Sequence, residues 1–189
     1  MADVSILAAG STELSADSEE RIVRLAGMDT WVVNYTVYGE AVVGRGEDAF
    51  TVRVGDLLLV PPDVPHDYGH APGTGWVHLW AEFAPTPELE SALLNWPEQP
   101  GHVRLIHLWE AQSRQRVIGF LESMKALMRG PLPVRREVAS CLLEAMFRLC
   151  DHFNPRGQYG RPDERILAAQ AYLCQQYRRS IRLPEVAAV

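Results

Sequence analysis

The eight residues Trp76-Val77-His78-Leu79-Trp80-Ala81-Glu82-Phe83 read as one β-strand with two unlike faces. Side chains alternate across a strand, so Val77, Leu79, Ala81 and Phe83 share a plain aliphatic and aromatic face suited to packing. The other face, Trp76, His78, Trp80 and Glu82, sets indoles beside titratable groups. An indole in such company can stack on the C–H face of a sugar or another flat ligand while its neighbours bond the hydroxyls. Inside a barrel that is a small-polyol site. A plainer reading has Trp76 and Trp80 covering the barrel end under a helix, with His78 and Glu82 solvated; alternation is compatible with both.

Upstream, from Trp31 onward, short runs of Val, Leu, Tyr, Trp and Phe are separated by Gly39, Gly44 to Asp48, Gly55-Asp56, Pro61 to Pro65 and Pro72 to Gly75. Few residues per run with Gly or Pro between them predict an antiparallel sandwich or barrel, not a parallel sheet with crossover helices. At least five strands are expected, near 31–38, 40–44, 49–54, 57–60 and 76–83.

Downstream of Pro85, Pro87 and Pro97 the period changes from two to 3.6. Val117, Phe120, Leu121, Met124, Leu127 and Met128 share one arc of a helix over 113–129 that Gly130-Pro131 stops. Pro133 then suits a helix start, and over 134–153 one arc holds Val134, Val138, Cys141, Leu142, Ala145, Met146, Leu149 and Phe153. A second apolar patch, Leu143, Phe147 and Cys150, lies beside it, so this helix needs more than one apolar neighbour. Burial in a monomer core and a helix shared with a second subunit both satisfy that need. Asn154 to Pro162, with two Pro and two Gly, reads as a linker. Beyond it Asp163 can cap a helix with Ile166, Ala169, Tyr172 and Leu173 on its apolar face, and Leu183 to Val189 looks like the start of another.

Composition bounds the function. With 18 Lys and Arg against 24 Asp and Glu in 189 residues, the formal charge of −6 argues against a DNA-coating surface. Hydrophobic residues at 47% and charged residues at 22% exclude a disordered or low-complexity chain. No apolar run approaches the roughly 20 residues of a membrane helix, and no basic start precedes Val4 to Gly10, so a cytoplasmic protein without a membrane or secretory role is expected. Three cysteines, Cys141, Cys150 and Cys174, fall in helical-looking sequence as buried thiols would.

A metal site is not expected. Histidines that chelate from one barrel strand stand one residue apart, about 7 Å along it, and no His-x-His occurs. His78 and Glu82 are separated by about 13 Å of extended chain. His66 and His70 are expected to flank a turn and supply two ligands at most. No P-loop, GxGxxG or nucleophile elbow stands out.

Several stretches together carry a resemblance. They are Asn34 to Val43, then Val54-Gly55-Asp56-Leu57-Leu58-Leu59-Val60-Pro61-Pro62, then His66-Asp67-Tyr68-Gly69-His70, then His78 to Phe83. On these the chain resembles, over about residues 20–189, the regulatory portion of the AraC/XylS family of bacterial transcription regulators, and within it the arabinose-responsive members. The Gly-Asp-to-Pro-Pro segment is shared with many cupins; Tyr68, His78 and Trp80 together are more specific. The resemblance implies a cupin-like antiparallel β-barrel followed by two long helices, mainly β plus α. It divides the chain into an effector-binding barrel (1–110), dimerisation helices (111–153), a linker (154–162) and the truncated start of a helix-turn-helix domain (163–189). It implies a sugar stacked on Trp80 and bonded by Arg24, Tyr68 and His78, with Thr12 as a further contact from the amino-terminal segment. It further implies a homodimer, a monosaccharide effector with L-arabinose first, DNA contacts through helices beyond Val189, and neither cofactor nor catalysis. A metal-dependent cupin enzyme acting on a small polar substrate, or a dimerisation module with an empty barrel, are the alternatives.

Overall fold

In the computed structural model, which describes residues 4–130, 135–156 and 172, two antiparallel sheets face each other and helices cover the outer face of one. The strands are β1 (Val4–Leu14), β2 (Ile22–Arg24), β3 (Trp31–Val43), β4 (Phe50–Arg53), β5 (Asp56–Val60), β6 (His66–His70), β7 (Trp76–Pro85) and β8 (Arg104–His107). The helices are α1 (Pro87–Leu94), α2 (Ala111–Arg129) and α3 (Arg135–Asp151). One sheet runs β1-β7-β3-β5-β8; the other brings together β2, β6, β4 and the end of β3. The cupin-like barrel followed by two long helices is therefore what the chain forms, with α1 as an addition.

β3 belongs to both sheets. Trp31 to Gly39 pair with β7, and Glu40 to Val43 pair with β4. Strands that change sheet do so at bulges, and here the register shifts between Thr36 and Tyr38. Gly39 follows at φ 71°, and a Cβ there would stand 1.7 Å from the Gly75 carbonyl oxygen. Only glycine allows both the conformation and the approach. The two strands expected at 31–38 and 40–44 are thus one, since Gly39 bends the chain without ending its pairing.

Alternation sorts the large sheet into two cores. Val33, Tyr35, Leu57, Leu59, Leu79, Ala81 and Phe83 point outward, where they pack with Leu121 and Met124 of α2 and Leu143 and Phe147 of α3. Val32, Leu58, Val60 and Trp76 point inward and meet Ala41, Val43, Val52 and Tyr68 across the barrel. Both faces are covered, so Trp31 to Thr36 are buried without a break.

Several expectations need correction. Val4 to Gly10 is not merely an apolar stretch but most of β1, and it pairs with β7 on both sides of a register shift between Ile6 and Ala8. His66 and His70 do not flank a turn; they are the ends of β6. Pro87, read as a breaker, opens α1 instead, because a proline at the first turn removes an N–H that has no partner there anyway, and Thr86 caps the helix by accepting from the Leu89 N–H at 3.5 Å. Leu143, Phe147 and Cys150 are core residues at 0–1% exposure, so that patch faces the sheet and not a second subunit. Cys141 is exposed rather than buried. Asn154, where the linker was expected to begin, is buried, with its side chain donating to Asp151 Oδ1 at 3.2 Å. Expectations for Pro133, Cys174, the rest of the linker and the terminal helices fall outside the described residues, apart from Tyr172, which is helical.

Candidate functional site

Trp80 organises a cavity of about 280 Å³ between the two sheets. Cross-strand pairing sets its neighbours: Gly10 of β1 and Asn34 of β3 lie opposite Trp80, and Thr12 and Thr36 lie opposite His78. The indole rests against Gly10, where an added Cβ would stand 2.5 Å from its Cζ2. Its Nε1–H donates to Thr12 Oγ1 at 3.1 Å. Strand β1 therefore fixes the plane of the ring from one side while Trp80 stays partly open to the cavity.

The structure brings Thr12, Arg24, Tyr68, His78 and Trp80 to this one cavity. His78, 1% exposed, stacks on the buried Trp76 at 3.8 Å between ring centroids, and Tyr68 stands edge-on to both. Trp76 itself lies beneath the site, held by its Nε1–H donating to Thr36 Oγ1 at 3.2 Å. Arg24 is exposed at the rim, and its guanidinium donates to the Val23 carbonyl oxygen. No ion pair engages it among the described residues.

Three polar residues that sequence reasoning did not assign also line the cavity. Asn34 is buried at 2% exposure, and its amide approaches Tyr68 Oη at 3.5 Å. His66 stacks on Tyr68 with ring centroids 5.5 Å apart. Glu82, whose face was read correctly but given no role, accepts from Thr30 Oγ1 at 2.8 Å. Ile22, Met28 and Val32 supply the apolar remainder. Asn34 was findable, since a lone amide in the run Trp31 to Tyr35 shares the inward phase of Val32 and Thr36.

Electrostatics follow from depth. Burial lowers the His78 pKa to about 4, so the ring is neutral at physiological pH. His78 Nδ1 is buried with no hydrogen-bond partner. The tautomer with a bare lone pair at Nδ1 avoids an orphaned N–H and puts the ring proton on Nε2. Burial also lowers His66, with the Arg24 charge adding to the effect, and raises Tyr68.

The rim segment carrying Arg24 is tied down by charge. Partial burial works against ionising Asp67, yet hydrogen bonds from Arg45 and Arg21 hold it below the usual carboxylate range. Arg21 also donates to the carbonyls of Val42 and Gly44, each at 3.3 Å. His70 bridges the carbonyl oxygens of Ser18 and Ala71, which raise its pKa because only the imidazolium donates to both. Among the described residues no three His, Cys, Asp or Glu side chains are grouped to hold a metal ion, and no helix is long and apolar enough to cross a membrane.

The profile of the AraC-like ligand binding domain matches residues 10–173. Two curated relatives, each named arabinose operon regulatory protein, are similar over 94 residues, which is 48% of this chain. The relative from Salmonella typhimurium is 36% identical, with 33% of its length covered. The one from Escherichia coli K12 is 37% identical, with 32% covered. The chain thus spans about a third of the curated relatives it matches. Among solved structures, apo ToxT from Vibrio cholerae aligns over 96% of this chain and 70% of its own at TM-score 0.49 and 6% identity. A cupin-like protein from Thermotoga maritima aligns over 60% of this chain and 81% of its own at TM-score 0.35 and 16% identity.

Proposed function

The chain belongs to the AraC-like ligand-binding domain family, and from that premise we propose that it is the sensing domain of a transcription regulator whose effector is a monosaccharide, L-arabinose first. The observation that carries this reading is the convergence of Arg24, Tyr68, His78 and Thr12 around the partly open indole of Trp80. At about 280 Å³ the cavity lies just under the usual range of ligand sites, which begins at roughly 300 Å³, as suits a small effector. Trp80 stacks on the C–H face of the sugar, His78 donates from Nε2, the Tyr68 hydroxyl serves either role, and Arg24 closes the rim over a ring or hydroxyl oxygen. Buried polar groups of this kind reject analogues that leave them unpaired. The two relatives named as arabinose operon regulators lend support to the choice of sugar.

Binding regulates by favouring one of two arrangements of a homodimer, because a ligand shifts states only through a difference in affinity for them. The domain works in the cytoplasm, carries out no reaction and needs no cofactor. Titration calorimetry with pentoses and hexoses tests the reading. We expect saturable heat with L-arabinose and its loss in Trp80→Ala, with the far-UV circular dichroism of the variant unchanged. No saturable heat with any pentose or hexose at millimolar concentration would overturn the sugar assignment.

A further inference from the structure

We infer that Glu82 is a specificity-determining residue of this cavity, reading hydroxyl donors on a neutral sugar and turning away sugar acids. The inference rests on the monosaccharide reading above and narrows it. Glu82 lies two residues beyond Trp80 on the same face of β7, about 7 Å along the strand, with His78 the same distance away on the other side. A ligand stacked on Trp80 therefore stands between an imidazole and a carboxylate. Tyr68, His78, Arg24 and the Asn34 amide can all donate hydrogen bonds into the cavity, whereas an ionised carboxylate only accepts.

The carboxylate is also oriented and available. Thr30 Oγ1 donates to Oε1 at 2.8 Å, which holds the group in place and leaves Oε2 without a hydrogen bond from the described residues. No lysine or arginine among those residues forms an ion pair with Glu82. A half-buried acceptor with an open oxygen is complemented by a hydroxyl, or by two adjacent hydroxyls shared between its oxygens. A ligand carboxylate at that end would meet a like charge that no ion pair with the described residues neutralises, the repulsive element that sharp specificity requires, and Arg24 on the same lining is left to bond ring or hydroxyl oxygens.

Calorimetry with L-arabinose, D-galactose and D-galacturonate tests this on the folded domain and on Glu82→Gln, whose thermal melt reports that it folds. The wild-type protein should bind a neutral sugar at least about tenfold more tightly than D-galacturonate, and Glu82→Gln should weaken the neutral sugar by about tenfold while narrowing that gap. Thr30→Val, which keeps the carboxylate but removes its anchor, should shift affinity in the same direction by a few-fold. If the wild type binds none of the sugars, the monosaccharide reading falls and this inference with it. If the wild type binds a neutral sugar and Glu82→Gln binds it within about twofold, or if the wild type takes D-galacturonate as tightly as D-galactose, the role of Glu82 alone is overturned.

Discussion

His78 combines a chemical role with a cost in stability. Its ring is stacked on Trp76, almost wholly buried, and holds its proton only below a pH of about 4, against 6.5 for an ordinary histidine. The unfolded chain takes up that proton as pH falls through 6.5, while the folded protein refuses it until about 4. The stability that neutral His78 contributes is therefore complete above 6.5 and declines between 6.5 and about 4. At roughly 1.4 kcal/mol per pH unit, about 3 kcal/mol is lost across that window. His66, also lowered by burial, acts in the same direction, and His70, raised by its two carbonyl partners, acts in the opposite one. Urea melts of the wild type and His78→Gln at intervals from pH 7 to 4.5 isolate the contribution of this ring. We expect the variant to lose stability less steeply by close to one proton, and parallel curves would contradict the assignment. Asn34 and Thr12 illustrate a different residue-scale point: each is unremarkable in its own segment and gains meaning from the residue opposite it in the sheet.

At the scale of the element, α3 shows how one helix can face two environments. Ala139, Leu143, Met146, Phe147 and Cys150 turn to the sheet, where Phe147 meets Phe83 at 4.9 Å and Trp96 at 6.2 Å between ring centroids. Val138, Cys141 and Ala145 remain exposed on the other side, with Leu142 and Leu149 partly covered between the two. That outer stripe is what α3 leaves open to the proposed homodimer, because Leu143 and Phe147 are buried against the sheet. Phe147→Ala should lower stability by about 3–5 kcal/mol through the cavity it opens. Ala145→Glu should change stability by less than about 0.5 kcal/mol, as an exposed substitution does, and should drive the protein toward monomer. Light scattering across the micromolar range with urea melts separates the two effects; a wild type that stays monomeric there refutes the dimer. Strand β1 was missed for an equally local reason. Its Ala8-Ala9-Gly10-Ser11 core lacks the β-branched and aromatic residues that mark strands, and it is a strand because β7 offers it a ladder and the Trp80 indole needs a glycine beneath it.

For the whole molecule, layers and charge set what it can meet. The barrel encloses the cavity, the helices cover the opposite face of the larger sheet, and the Trp96 Nε1–H donating to Asp151 Oδ1 at 2.9 Å links the segment after α1 to the end of α3. A formal charge of −6 gives residues 1–189 no general attraction for phosphate, so sequence-specific DNA binding is not expected of these residues. A gel shift with residues 1–189 should show no operator-specific retardation, and a salt-sensitive specific band would assign DNA reading to this domain. The division between barrel and helices was legible in one dimension, because a period of two and a period of 3.6 are properties of neighbouring residues and survive without knowledge of any partner. The unlike faces of Trp76 to Phe83 were legible for the same reason, while alternation alone left open which of them turns into the barrel. Which residues those side chains meet was not. Thr12 lies 68 residues from Trp80 and Thr30 lies 52 from Glu82, and Arg24 reaches the rim only because the three residues of β2 pair with β6. Likewise, the apolar sides of α3 could be counted from the sequence, but only packing against β1 and α2 chose which of them is core, since hydrophobic burial is non-directional and takes whichever surface the fold presents.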